Sequence, residues 1–131
     1  MTHMKALASP KALKIHRKEK TWVVRAAPGP HGVKGAIPAG VLIRDYLGIA
    51  QNKKEVRYIL HNKDVLVDGK PIKDEKYPIG LLDIVELPKI EKYYLITVDN
   101  NSRLYPKEID KKATATKLCK LTGKTVIKSG K

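Results

Sequence analysis

The sequence predicts an α+β fold. It has an extended basic N-terminal arm over residues 1–36, two helices packed on a small β-sheet over residues 37–88, and the start of an incomplete, mainly-β domain over residues 89–131. Three observations carry this reading. Apolar residues recur at helical spacing in the middle third, first around Leu42 and again around Val56. An Asp68-Gly69 pair between short apolar runs is a strong hairpin signal, because Gly accepts the positive φ such a turn needs. Charge is uneven: residues 1–36 hold 8 Lys/Arg and 1 acid, residues 37–88 hold 8 of each, and residues 89–131 hold 11 against 4.

The first segment has little apolar periodicity. Pro10, Pro28, Pro30, Gly29, Gly32 and Gly35 interrupt it, with Lys or Arg every few residues. That pattern does not build a packed core, so an arm that orders on a polyanion is expected. Its candidate contacts are Lys5, Lys11, Lys14, Arg17, Lys18, Lys20, Arg25 and Lys34. Trp22, flanked by Lys20 and Arg25, has two readings: a platform that stacks on a base or ribose, or part of a short strand Trp22-Val23-Val24 pinned to its neighbour. His31, between Pro30 and Gly32, is either a phosphate contact or a plain turn residue.

In the middle segment Ile37-Pro38 is expected to open a helix, with Pro in the tolerant first turn. Leu42, Ile43, Tyr46 and Leu47 form its apolar face, Arg44 and Asp45 lie opposite, and Gly48 ends it. Asn52 with Glu55 three residues on resembles a capping box for a second helix. Val56, Ile59 and Leu60 give that helix a buried stripe, and Lys53, Arg57 and His61, with Lys54 beside them, a basic one. Lys63 follows its end. Val65-Leu66-Val67 and Lys70-Pro71-Ile72 flank the Asp68-Gly69 turn, and Pro71 marks an edge position. Ile79 to Leu87 supply a closing strand. Asp64, Asp68, Asp74, Glu75, Asp83 and Glu86 gather in the β part, while Arg44, Lys53, Lys54 and Arg57 gather in the helical part. A polarised module with a basic helical face is expected. Lys73 and Lys76 read as solvated charges, and Lys70, on the acid-rich half, is a weaker contact than Lys53, Lys54 or Arg57.

Beyond residue 88, Tyr93 to Val98 reads as a strand, with one of Tyr93 and Tyr94 in the core and the other outside. Asp99 to Ser102 reads as a turn, although Asn100-Asn101-Ser102 also fits a glycosylation pattern. Arg103-Leu104-Tyr105 returns. A helical turn is expected at Glu108-Ile109, and a hairpin about Thr122-Gly123. Lys111, Lys112, Lys117, Lys120 and Lys124 suit either RNA contact or solvation.

Composition bounds the function. A net charge of +14 on 131 residues favours a polyanionic partner, since neutralised phosphates release counterions. The single cysteine, Cys119, rules out an intrachain disulfide and reads as a small buried side chain. No apolar run approaches membrane-spanning length, and the N-terminus lacks the pattern of a secretory signal, so a soluble cytoplasmic protein is expected. No nucleophile with its base, metal-ligand cluster or phosphate loop stands out, so no catalytic residue, metal or cofactor is expected.

The stretch "IPAGVLIRDYLGIAQNKKEVRYILHNKDVLVDGKPIKDEKYPIGLLDIVEL" resembles the small RNA-binding fold called the αL motif, found in ribosomal proteins, some pseudouridine synthases and tyrosyl-tRNA synthetases. With "PGPH" ahead of it and "KYYLITVDNNSRLYPKEI" behind, nearly the whole chain is similar to the archaeal and eukaryotic small-subunit ribosomal protein family called S four E. The resemblance implies rRNA binding by the arm and by the helical face. It also implies a single copy among neighbouring ribosomal proteins, with no membrane, small-molecule substrate or homo-oligomer. Members of that family continue through a fuller β domain and a C-terminal domain, so a truncated copy is expected here. Two other functions use the same module. An RNA-modifying enzyme would need a catalytic carboxylate in a further domain, and a small ribosome-rescue factor would not explain the arm.

Overall fold

The computed structural model describes residues 3–128. The Asp68-Gly69 turn forms as expected. Strand β4 (Leu66–Val67) pairs antiparallel with β5 (Lys70–Pro71). Asp68 and Gly69 stand at φ 50 and 76, the mirror-image turn that a right-twisted hairpin requires. These strands open a five-stranded antiparallel sheet of order β5-β4-β7-β8-β9, completed by β7 (Ile84–Leu87), β8 (Lys92–Val98) and β9 (Leu104–Ile109). The sheet runs through residue 88 without interruption, its strands joined there by a single 3-10 turn, Pro88–Ile90.

The chain reaches this sheet through shorter pieces. Strands β1 (Met4–Lys5) and β2 (Trp22–Val23) form a two-stranded ribbon, and β3 (Ala36–Pro38) pairs with β6 (Pro78–Gly80). Ile37-Pro38 is therefore strand, not the first turn of a helix. Pro38 is extended at ψ 138, and Ile37 is fully buried opposite Ile79. Helix α1 (Ala39–Val41) begins just after it and widens into a π-type turn over Leu42–Tyr46, where the Leu47 N–H donates to the Leu42 carbonyl at 3.0 Å. The first N–H groups of α1, which have no partner within the helix, donate instead to the carbonyls of Tyr77 and Glu75 at 2.9 and 2.8 Å.

Helix α2 (Lys53–His61) starts as its capping residues dictate. The Glu55 carboxylate reaches back to accept the N–H groups of Gln51 at 2.7 Å and Asn52 at 3.4 Å. Those bonds hold its carboxyl below the usual glutamate range. Val56 and Leu60 are buried, and they meet Leu42, Val65, Ile79 and Ile96 in one core.

The first segment departs from an extended arm with no core of its own. Leu13 joins the main core at 3 % exposure, and Ala6 and Ala26 are also buried. The segment is tied down along its length: Ala6 N–H to Thr21 O at 2.9 Å, Ala27 N–H to Lys76 O at 2.8 Å, and Leu104 N–H to Ala12 O at 3.1 Å. The Lys14 N–H donates to Tyr46 Oη at 2.7 Å, and burial pushes that phenol's pKa up. Pro and Gly prevent a regular element, yet single apolar side chains still fill places in a neighbour's core.

Residues 28–31 pack over β6 at close range. A Cβ built on Gly80 would stand 2.3 Å from the His31 ring, and one on Gly29 would stand 2.6 Å from Pro78 Cγ. Only the missing side chain lets the imidazole lie on the strand. Gly80→Ala is expected to cost about 1–3 kcal/mol, the usual range for overpacking, read as a lower melting temperature.

In the last segment, Asp99 to Arg103 close a tight hairpin, with Ser102 at φ 57 and the Ser102 N–H bonded to Asp99 O at 2.9 Å. Tyr94 packs against the core, whereas Tyr93 lines a surface hollow with Glu91, Glu108 and Asp110. The helical turn expected at Glu108-Ile109 is strand. It pairs with Tyr93-Tyr94, and Pro106 is tolerated because β9 is the sheet edge. A 3-10 turn follows at Lys111–Ala115. The hairpin expected about Thr122-Gly123 is absent among the described residues, since residues 116–128 carry no strand. Cys119 is exposed rather than buried, for the same reason: no element covers it. Among the described residues no helix is long and apolar enough to cross a membrane.

Candidate nucleic-acid interface

The β1–β2 ribbon holds Trp22 out to solvent, 58 % exposed. Trp22 is strand, but the strand ends at Val23 and pairs with Met4–Lys5 of the same segment rather than with a neighbouring domain, and its indole is open to solvent. The His3 ring meets it edge-on, with centroids 6.0 Å apart, and Lys5 Nζ lies 5.9 Å from the ring centroid. A cation at that range interacts with the π face. Two depressions flank the indole. One, of about 740 Å³, is lined by Lys5, Arg25, Met4, Ala8 and Val33. The other, of about 300 Å³, is lined by Val23, Val24, Arg25, Arg44, Lys53, Glu75 and Lys76.

The fold therefore gathers Lys5, Trp22, Arg25, Arg44 and Lys53 from distant parts of the sequence around one aromatic ring. Arg57 joins them through a shared partner. Lys53 Nζ stands 3.0 Å and an Arg57 guanidinium nitrogen 3.2 Å from the same Glu75 oxygen. Glu75 is 7 % exposed, whereas the two cations are 53 % and 64 % exposed. Arg44 grips Asp45 with two bonds of 2.8 Å, and the Asp45 bond, opposed by desolvation and reinforced by the Asp45 and Glu75 charges, holds its pKa above the ordinary guanidinium value.

Glu75 corrects the expected separation of acids from the helical face. Its backbone carbonyl accepts the Gly40 N–H at the start of α1, which carries the side chain to the helices and away from the other β-part acids. It neutralises part of the basic face and fixes the directions of Lys53 and Arg57. Five basic side chains (Lys5, Arg25, Arg44, Lys53 and Lys76) line the two depressions with one carboxylate, Glu75, which Arg57 also meets. A concave, basic, aromatic surface of this kind suits a nucleic-acid backbone with an accessible base.

The other candidate residues lie elsewhere or have other partners. The Arg17 guanidinium turns inward, donating to Ser9 O and Ser9 Oγ at 2.7 Å, Pro10 O at 2.8 Å and Ala6 O at 3.3 Å. His31 Nε2 stands 2.8 Å from Asp83. Lys14 lines a separate hollow with Asp99 and Arg103. Lys70 lines another with His31, Asp83 and Lys117. Lys11, Lys18, Lys20, Lys34, Lys54, His61 and Lys63 are exposed and line none of these depressions.

Sequence reasoning missed Glu75 and Lys76 as parts of the site. Lys117 was open between RNA contact and solvation. It instead bonds Asp68 and, at 2.7 Å, the 4 %-exposed carboxylate of Asp83.

Residues 2–34 match the RS4NT (NUC023) domain, and residues 90–131 match the ribosomal family S4e. The chain is 45 % identical over 130 residues to small ribosomal subunit protein eS4 of Nanoarchaeum equitans, covering 98 % of this chain and 56 % of the relative. It is 46 % identical to eS4 of Archaeoglobus fulgidus, over 98 % of this chain and 54 % of that one. The crystal structure of 30S ribosomal protein S4e from Thermoplasma acidophilum superposes with a TM-score of 0.57 and 26 % identity, covering 72 % of this chain and 48 % of that one. The chain spans about half the length of the curated relatives it matches. At both ends, along nearly its whole length and in fold, the chain is similar to members of the ribosomal S4e family.

Proposed function

We propose that this chain is a structural constituent of the small ribosomal subunit in the cytoplasm. It binds small-subunit rRNA and works by binding alone. The observation that carries this is the likeness along 98 % of the chain to proteins named small ribosomal subunit protein eS4. The basic concavity around Trp22, Glu75 and the start of α2 supports the rRNA part, because it offers cations at spaced positions and a stacking ring. In this reading residues 37–88 act as the αL-type module, and residues 1–36 add Lys5, Trp22 and Arg25 to its face. Other ribosomal proteins are its neighbours, and it is present as one copy per subunit.

The test is sedimentation. Tagged protein expressed in an archaeal host is expected to travel with small subunits through a high-salt wash, in equimolar amount. Recovery only on large-subunit complexes bearing stranded tRNA would overturn the proposal, as would conversion of a uridine in naked RNA by the purified protein.

A further inference from the structure

The depression beside Trp22 differs in character from the rest of the basic face. Its floor is Met4, Ala8 and Val33, its wall is the indole, and its cations, Lys5 and Arg25, stand with them. A duplex backbone needs cations but no apolar floor. An unpaired base needs an aromatic wall, apolar contacts, and a cation nearby for the phosphate that enters with it. A volume of about 740 Å³ lies in the range of small-ligand sites and accommodates one nucleotide. The indole is already oriented: the Met4↔Val23 and Lys5↔Trp22 pairs fix the ribbon, and His3 buttresses the ring edge-on. An exposed tryptophan on a rigid ribbon loses little further freedom on stacking.

From this geometry we propose that the hollow between β1, β2 and Val33 is a cradle for a single unpaired RNA nucleotide. The base stacks on Trp22 over Met4, Ala8 and Val33, and its phosphate lies against Lys5 and Arg25. The proposal rests on the RNA-binding reading above and adds a ligand class to it: a bulged or extruded nucleotide, as distinct from continuous duplex, which the Lys53–Arg57 face takes.

Trp22 is the only tryptophan in the chain, so its fluorescence reports on this site alone. The full chain is titrated with two RNA hairpins, identical except for one bulged 2-aminopurine nucleotide. The bulged hairpin is expected to bind about tenfold tighter or more, the size of one base–aromatic stack, and to quench both Trp22 and the 2-aminopurine. Trp22→Ala is expected to abolish the difference between the hairpins, lowering affinity for the bulged one about tenfold more than for the continuous one. Trp22→Phe is expected to keep most of the difference. Equal affinity of the unmodified chain for both hairpins, or an equal loss for both in Trp22→Ala, overturns the cradle and leaves the RNA reading standing. No binding of either hairpin at low salt overturns both.

Discussion

Asp83→Ala is expected to unfold much of the corner where three segments meet, at a cost of about 3 kcal/mol. That is a large share of the 5–15 kcal/mol that stabilises a typical domain. Asp83 is 3 % exposed. Its carboxylate accepts the Gly80 N–H at 2.9 Å, meets His31 Nε2 at 2.8 Å, and meets Lys117 Nζ at 2.7 Å. One side chain therefore ties the turn after β6 to residues 28–31 and to the segment beyond β9. Removing it strips the Gly80 N–H of its acceptor and leaves the imidazole and ammonium without their shared carboxylate. His31 and Lys117 are 28 % and 33 % exposed, so water recovers part of the loss, which keeps the figure at the low end for buried pairs. Asp83→Asn retains one acceptor oxygen and is expected to cost less than half as much. Chemical denaturation followed by circular dichroism measures both. Equal midpoints for Asp83→Ala and the unmodified chain would show that Asp83 ties nothing together.

The same corner has a pH signature. Burial of Asp68 favours its neutral form, but the Lys117 bond, the Ile84 N–H at 3.0 Å and the Lys117 charge outweigh that and hold its pKa below the usual aspartate value. Desolvation likewise opposes the charge on Lys117, and the bonds to Asp68 and Asp83 override it and raise its pKa. For Asp68 the sign follows from the lowered folded-state value. Its contribution is complete above the ordinary aspartate pKa and fades as pH falls through the depressed one. For Lys117 the contribution is complete below the ordinary lysine pKa and fades as pH rises through the elevated one. Across neutral pH both are present, so Asp83→Ala is best measured there.

Local chemistry was legible in the sequence, and partnership across distance was not. The Asp68-Gly69 turn, the Glu55 cap and the buried stripe of α2 depend on neighbours a few residues away, and each forms as read. Arg17 looked like a phosphate contact because it stands in a basic run. Its carbonyl nest exists only once residues 6–13 curl around it. Glu75 looked like one acid among several in the β part. The bond from Gly40 to its carbonyl, across thirty-five positions of sequence, puts it beneath Lys53 and Arg57. The hairpin expected about Thr122-Gly123 failed for a related reason. A Thr-Gly pair permits a turn, but residues 116–128 are exposed and bury no apolar face, and a lone two-stranded hairpin is marginal in water.

Lys53→Gln with Arg57→Gln is expected to have the largest effect on RNA affinity. Both side chains are more than half exposed, one turn apart on α2, and their directions are fixed by one buried carboxylate. Each phosphate they neutralise releases counterions. Losing two such contacts is expected to reduce the slope of log affinity against log salt by about two, and affinity at low salt by roughly ten- to a hundredfold. Stability is expected to fall by about 1–3 kcal/mol, since the buried Glu75 carboxylate loses both cations, and a melting curve separates that loss from the binding effect. Glu75→Gln supplies the opposite sign. It releases both cations from their carboxylate and raises the net charge of the face by one, so low-salt affinity is expected to hold or rise and the salt slope to steepen. Were the two lysine and arginine changes to leave the slope unchanged, phosphates would not meet this face. Were Glu75→Gln to weaken binding instead, the fixed directions of Lys53 and Arg57 would matter more than their charge, because a phosphate is met best by cations already held in place.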